Sequence, residues 1–331
     1  MSAPENSPRW SLVIHGGAGV MERAAMSPEL DARYRAALRQ ALSIGGDILD
    51  GGGSALDAVQ ATAMYLEDEE LFNAGRGAVF TAEGRNELDA AIMDGRTRAA
   101  GAVAGLTRTK NPIAAARAVM ERSRHVMLVG EGAEVFARAQ GLEEVDPSYF
   151  FTEPRWRQLE RALREQDLPI PPRPAGAPPA PQQQSELGPD DHRFGTIGVV
   201  AYDSEGNIAA GTSTGGVTAK RWGRVGDSPV IGAGTYAQNG VCGVSATGSG
   251  EYFIRVGVAR EICLRMQLRG ESAQSAANAV MADVDALGGE GGVIVLDAAG
   301  RHAYAMNSSG MFRAYLQGDG DPEIKIFADE E

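Results

Sequence analysis

Eight of the chain's 16 prolines fall between Pro169 and Pro189, beside Gln182-Gln183-Gln184. Proline fixes its own φ and removes a backbone donor, so no packed helix or strand persists at that density. The stretch reads as a mobile linker over about residues 168–193, and it runs into Gly195-Thr196, where the apolar run Ile197 to Tyr202 begins. The plain reading of such a stretch is an inter-domain linker. The Gly195-Thr196 junction suggests another. If that bond is cut, Thr196 becomes a chain terminus with a hydroxyl and a free amine on one residue, which is a complete nucleophile-and-base pair.

Ahead of the linker, Ser11 to His15 reads as a buried strand stopped by Gly16-Gly17-Ala18-Gly19. Neither GxGxxG nor GxxxxGK[ST] is present, so that loop is read as a close backbone approach and not a phosphate cradle. His15 reads as a satisfied imidazole that fixes the loop. Leu30 to Leu49 has helical spacing, and Ser54 caps a second helix carrying Ala58, Val59 and Ala63 on one face. Glu87 to Asp94, Ala100 to Leu106 and Val126 to Val129 read as strands. Pro112 to Arg122 and Glu131 to Ala139 read as helices, and Arg155 to Glu165 as an exposed helix.

Beyond the linker, Ile197 to Tyr202 and Ile208 to Ser213 form a hairpin across Asp203 to Asn207. Val230 to Thr235, Val241 to Ala246, Gly291 to Leu296 and Ala303 to Asn307 read as further strands. Glu251 to Leu268 and Ala273 to Leu287 read as helices. Grouped strands with helices around them point to an α+β fold in layers, without strict βαβ alternation.

The net charge of −13 argues against a nucleic-acid backbone as partner, since phosphate binding needs a basic surface. No run approaches a membrane span, and residues 1–10 lack the apolar core of a secretory signal, so a cytoplasmic protein is expected. The two cysteines, Cys242 and Cys263, read as buried free thiols, in keeping with a reducing compartment. Of the four histidines none has metal-ligand spacing. Zinc chemistry therefore has poor support.

Six motifs remain, in order: His15-Gly16-Gly17-Ala18-Gly19, Leu71-Phe72-Asn73-Ala74-Gly75-Arg76-Gly77, Gly195-Thr196, Gly211-Thr212-Ser213-Thr214-Gly215-Gly216, Gly223-Arg224-Val225-Gly226-Asp227-Ser228 and Ser245-Ala246-Thr247-Gly248-Ser249-Gly250. Together they resemble the plant-type L-asparaginase/isoaspartyl peptidase family of N-terminal nucleophile hydrolases, over nearly the whole chain apart from the linker. The resemblance implies a single domain with a four-layer αββα sandwich, autocleaved into an α chain of 1–195 and a β chain of 196–331. It implies hydrolysis of β-aspartyl (isoaspartyl) dipeptides and L-asparagine, with a dimer of αβ heterodimers as the unit.

The same resemblance assigns roles. Thr196 is the nucleophile and its α-amine the base. Thr214 bonds near the Thr196 hydroxyl and amine. The Thr247 hydroxyl and the Gly248 N–H form the oxyanion hole. Arg224 grips the substrate's α-carboxylate and Asp227 its ammonium, beside Gly250. Asn73 contacts the departing amide or the loop around Thr196. By position alone, close behind Thr214, Thr218 is expected to join the threonine network and Lys220 to be solvated or structural. No catalytic cofactor is implied. A structural sodium is, held by main-chain carbonyls of Leu66, Glu67, Glu69, Phe72, Ala74 and Arg76. Two alternatives stand beside this reading: a glycosylasparaginase-like enzyme, disfavoured by the HGGAG opening and the lack of a secretory signal, and an unprocessed scaffold with the same fold.

Overall fold

The computed structural model describes residues 9–19, 21–179 and 195–330. Most of the proline-rich linker, from 180 onward, lies outside the described residues; its described part, 168–179, forms neither helix nor strand.

Before the linker the chain forms strands β1 (Ser11–Gly19), β2 (Leu88–Asp94), β3 (Ala99–Leu106) and β4 (Met127–Val129), with helices α1 (Pro28–Asp50), α2 (Ala55–Asp68), α3 (Pro112–Arg122), α4 (Gly130–Ala139) and α5 (Glu153–Glu165). After it come β5 (Ile197–Tyr202), β6 (Ile208–Thr214), β7 (Thr235–Gln238), β8 (Cys242–Gly248), α6 (Gly250–Val256), α7 (Val258–Arg269), α8 (Ala273–Ala286), β9 (Gly291–Asp297), β10 (His302–Met306), β11 (Gly310–Gln317) and β12 (Glu323–Phe327). Ser54 caps α2 as the sequence suggests, accepting from Asp57 N, and Ser27, which the sequence did not single out, caps α1 by accepting from Leu30 N.

The strands make one eight-stranded sheet, β12-β11-β1-β5-β6-β2-β3-β4, and one four-stranded sheet, β10-β9-β8-β7. Strand β5 is buried along its whole length, and the alternation of side chains across a strand explains why it reads as a continuous apolar run. Ile197, Val199 and Ala201 enter the core shared with α1, α2 and α3. Val200 and Tyr202 enter the second core, shared with the smaller sheet and with α7 and α8. The same division holds in β1, where Leu12 and Ile14 face the first core and Val13 the second. The α+β class is therefore borne out.

Several local expectations change. The glycine loop does not end β1: the strand runs to Gly19, with a bulge between His15 and Gly17. Val230 to Gly234 is loop, and β7 begins only at Thr235. The single helix expected from Glu251 is two, broken at Gly257, whose φ of +69° is left-handed. Helix α5 is not an exposed helix: Trp156, Leu159 and Leu163 bury one face against Phe80, Phe151 and Ala219. Strands β11 and β12, absent from the sequence reading, complete the large sheet at its edge.

The two cysteines are not free thiols. Cys242 of β8 and Cys263 of α7 form a disulfide, with Cα atoms 5.7 Å apart, inside the range such a bridge requires. Helix α7 packs on β8 and brings together residues 21 positions apart. With no free thiols, the cysteines give no sign of a reducing compartment. Among the described residues, no helix is long and apolar enough to cross a membrane.

Candidate active site

Register builds the site. Strands β5 and β6 pair antiparallel with Ile197 opposite Ser213, so Thr196 and Thr214 lie side by side at one end of the hairpin. Strand β1 pairs with β5 on the other side, with His15 opposite Gly198. This brings the glycine loop over the junction. A Cβ on Gly17 would stand 2.8 Å from Gly195 Cα and 3.2 Å from Thr196 N, and Gly17 has a φ of +111°. Only glycine allows this approach.

Thr196 is 6 % exposed. Its hydroxyl lies 2.6 Å from the Gly195 carbonyl oxygen and 3.0 Å from Thr214 Oγ1. Thr214 Oγ1 also reaches Gly195 O, at 3.2 Å, and accepts from Gly216 N at 2.9 Å. Asn73 Nδ2 donates to Gly195 O at 2.9 Å and to Gly216 O at 2.8 Å, while its Oδ1 accepts from Val79 N. The Gly195 carbonyl oxygen thus has three donors aimed at it. Each hydroxyl has a single proton. When Thr196 donates to Thr214, its oxygen lone pairs are free to face the Gly195 carbonyl carbon, and Thr214 and Asn73 remain as donors to the carbonyl oxygen. A cleft lined by Gly16, Gly17, Asn73, Arg155 and Gly195 borders the Gly195-Thr196 bond.

His15 is the satisfied imidazole expected from the sequence. A carbonyl can only accept, so Nδ1–H donates to Thr196 O at 3.1 Å, and Nε2 accepts from Ser245 Oγ at 3.0 Å. Burial lowers its pKa to about 3, against the raising effect of the Thr196 bond. It stays neutral at working pH. A Cβ on Gly198 would stand 2.1 Å from His15 Nε2 and 2.0 Å from Ser245 Oγ, so glycine there is what admits the imidazole.

Thr247, fully buried at the end of β8, accepts from Ala18 N at 3.2 Å and so joins the site through the glycine loop. Gly248 has a φ of +146°, and a Cβ there would stand 2.3 Å from Glu290 O. Thr218 does not join the threonine network: its buried hydroxyl has no hydrogen-bond partner among the described residues. Lys220 is buried, donating to Glu87 O at 2.9 Å with Asp89 at 3.8 Å, which fits its structural reading.

Arg224 and Asp227 flank Gly250, whose missing Cβ would stand 3.0 Å from Arg224 Nη2 and 2.8 Å from Asp227 Oδ1. Arg224 is held by a residue the sequence reading passed over. Its Nε and Nη2 each donate to the Glu251 carboxylate at 2.9 Å. Asp227 is buried, with Oδ2 unpartnered among the described residues. Burial pushes its pKa up to about 7, although its own backbone amide and Arg224 pull it down.

The loop expected to hold sodium is tightly wound. A Cβ on Gly75 would stand 2.2 Å from Glu67 O, and one on Gly77 2.0 Å from Phe72 O and 2.6 Å from Glu70 O. Carbonyl oxygens thus crowd the two glycines, an arrangement that fits a hard cation bound by main-chain oxygen. The Glu67 side chain points elsewhere: Oε1 meets Ser213 Oγ and Ile113 N, and burial raises its pKa to about 8. Among the described residues, no group of three or more His, Cys, Asp or Glu side chains could hold a metal ion.

A family model described as Asparaginase matches residues 8–326. Isoaspartyl peptidase of Escherichia coli is 46% identical over 96% of this chain and 96% of its own length. Plant-type L-asparaginase of Pyrococcus horikoshii is 42% identical over 96% of this chain and 99% of its own. Isoaspartyl peptidase/L-asparaginase of Xenopus laevis is 41% identical over 93% and 92%. With a model match that runs from before β1 to near the end of β12, and relatives aligned over almost their full length, the chain belongs to this asparaginase family.

Proposed function

We propose that this protein cleaves itself at Gly195-Thr196 and then hydrolyses β-aspartyl dipeptides and L-asparagine. The observation that carries the proposal is the convergence on one peptide bond: a hydroxyl 2.6 Å from Gly195 O, with Asn73 and Thr214 as further donors. In self-cleavage Thr196 Oγ attacks the Gly195 carbonyl carbon. Thr214 relays the hydroxyl proton, accepting it while passing its own to the Gly195 oxygen, Asn73 stabilises that oxygen, and the proton moves from it to the Thr196 nitrogen as the C–N bond breaks. The resulting ester is hydrolysed by water, which leaves a Gly195 carboxylate and a free Thr196 amine.

That amine has a reference pKa of roughly 7.7–8.0, so a sizeable fraction is neutral near pH 7.5 and able to accept the hydroxyl proton. The substrate's aspartyl head enters with its α-carboxylate on Arg224 and its ammonium on Asp227. Thr196 Oγ attacks the β-carbonyl carbon, and the oxyanion is met by the Thr247 hydroxyl and the Gly248 N–H. The amine leaves with a proton, and water releases L-aspartate from the acyl-enzyme. Both substrates present the same head group and the same bond. The relatives named isoaspartyl peptidase and L-asparaginase support this substrate class.

The finer architecture belongs to the same proposal: a four-layer αββα sandwich, a dimer of αβ heterodimers, and a sodium ion on the carbonyls of the Leu66 to Arg76 loop. The cytoplasm is the proposed compartment. The Cys242–Cys263 bridge is fully buried and so shielded from thiol exchange. The test is Thr196→Ala. Wild type should run as two fragments on a denaturing gel after incubation. The variant should stay one chain and hydrolyse neither β-aspartyl-leucine nor asparagine. Hydrolysis by uncleaved Thr196→Ala protein, or a wild type that never divides yet is active, would sink the mechanism.

A further inference from the structure

The Arg224 guanidinium has two edges. The Nε–Nη2 edge is taken by Glu251 in a two-point contact, each bond 2.9 Å. The Glu251 side chain is 61% exposed and that of Arg224 only 17%, so the carboxylate closes the fork from the solvent side. Nη1 makes no hydrogen bond among the described residues. It lies over two glycines: a Cβ would stand 2.9 Å from it at Gly226 and 3.5 Å at Gly216. Gly216 is in turn bonded to Thr214, and Thr214 to Thr196. The open edge of the guanidinium therefore faces the nucleophile's side of the pocket, and the closed edge faces water.

We infer that Glu251 is a positioning residue for substrate: it clamps the Nε–Nη2 edge of Arg224 and so presents the Nη1 side to the α-carboxylate of the aspartyl head. This deepens the proposed function and rests on Arg224 being the carboxylate anchor. A planar guanidinium can meet one carboxylate at each edge, which a lysine could not do. A fixed fork also loses less freedom when substrate arrives.

The clamp has an electrostatic consequence. With Glu251 and an ionised Asp227, the pocket holds two carboxylates against one guanidinium. A bare anion is attracted weakly, whereas a head group that also carries an ammonium finds Asp227. Glu251 thereby favours amino acid head groups over plain dicarboxylates.

The experiment compares wild type, Glu251→Gln, Glu251→Ala and Arg224→Ala, each first run on a denaturing gel. The Gly195-Thr196 bond presents no free carboxylate, so both Glu251 variants should divide into two chains at the normal rate. In the divided proteins, kcat/KM on β-aspartyl-leucine should fall by about 5- to 50-fold, mainly through KM, since a partly exposed but two-point ion pair is lost. Inhibition by succinate relative to L-aspartate should strengthen, because succinate carries more negative charge and no ammonium. A purely structural Glu251 would lower kcat and melting temperature and leave the inhibitor ratio unchanged, which overturns the inference. So does an unchanged or lowered KM, or failure of Glu251→Gln to divide. If Arg224→Ala also hydrolyses normally, the substrate reading itself fails. If only the Glu251 variants are normal, that reading stands and the clamp does not.

Discussion

Asn73 should govern self-cleavage more than its distance from Thr196 in sequence suggests. Three donors face the Gly195 carbonyl oxygen, but the Thr196 hydroxyl turns nucleophile and cannot stabilise the charge it creates. That leaves Asn73 Nδ2 at 2.9 Å and Thr214 Oγ1 at 3.2 Å, of which Asn73 is the closer. Loss of one such donor typically slows reaction about 10²–10³-fold, or about 2.7–4 kcal/mol. Asn73→Ala also removes the bonds to Gly216 O and Val79 N, so a structural effect must be separated. Asn73→Asp does this. It keeps an acceptor for Val79 N and nearly the same shape, yet it sets a carboxylate oxygen against the Gly195 carbonyl. If Asn73 acts on the transition state, Asp should be at least as slow as Ala. If Asn73 only supports the loop, Asp should be the milder change. The assay is a time course of chain division from freshly purified precursor, with melting temperatures alongside. Division of either variant at the wild-type rate would refute the reasoning.

The remaining expectations concern the substrate pocket and the cation. Because burial raises the Asp227 pKa to about 7, the carboxyl is neutral below that pH and cannot pair with an ammonium. In uncleaved Thr196→Ala protein, which lacks a titrating Thr amine, L-aspartate affinity measured by calorimetry should weaken as pH falls below about 7, approaching tenfold per unit. A flat affinity from about pH 5 to 7 would contradict the assignment. Arg224→Ala should divide into two chains but lose about 2–5 kcal/mol in kcat/KM on β-aspartyl-leucine, and Arg224→Lys should restore only part, as steady-state kinetics will read. EDTA should leave hydrolysis intact. Exchange of sodium for a larger cation should lower the melting temperature through the Leu66 to Arg76 loop, and equal melting in both salts would count against a bound sodium.

Much of the site was legible from local chemistry. Proline density announced the lack of helix and strand over 168–179, and a fully apolar run marked β5 after Thr196. Thr214 came from the family resemblance, and the antiparallel register of β5 against β6 sets it beside Thr196. The small residues of the glycine loop likewise announced a close approach, and Gly17 makes it. Where the reading failed, the missing information was non-local. Val230 to Gly234 is as apolar as a strand, but its backbone turns, with Gly232 and Gly234 bonding back to Thr235 O and to Asp227 O and Val230 O. Helix α5 carries charges all along it, and its buried stripe of Trp156, Leu159 and Leu163 has meaning only against Phe80 and Ala219 from either side of the linker. No spacing rule joins Cys242 to Cys263, which meet because α7 lies on β8. Glu251, 27 positions from Arg224, looks like any helix-opening acid until the turn before it is folded back over Asp227. Sequence thus determined which groups could do the chemistry, since nucleophile, base and hairpin are local properties. Tertiary structure alone decided what holds each group in place, since that depends on contacts between segments far apart in the chain.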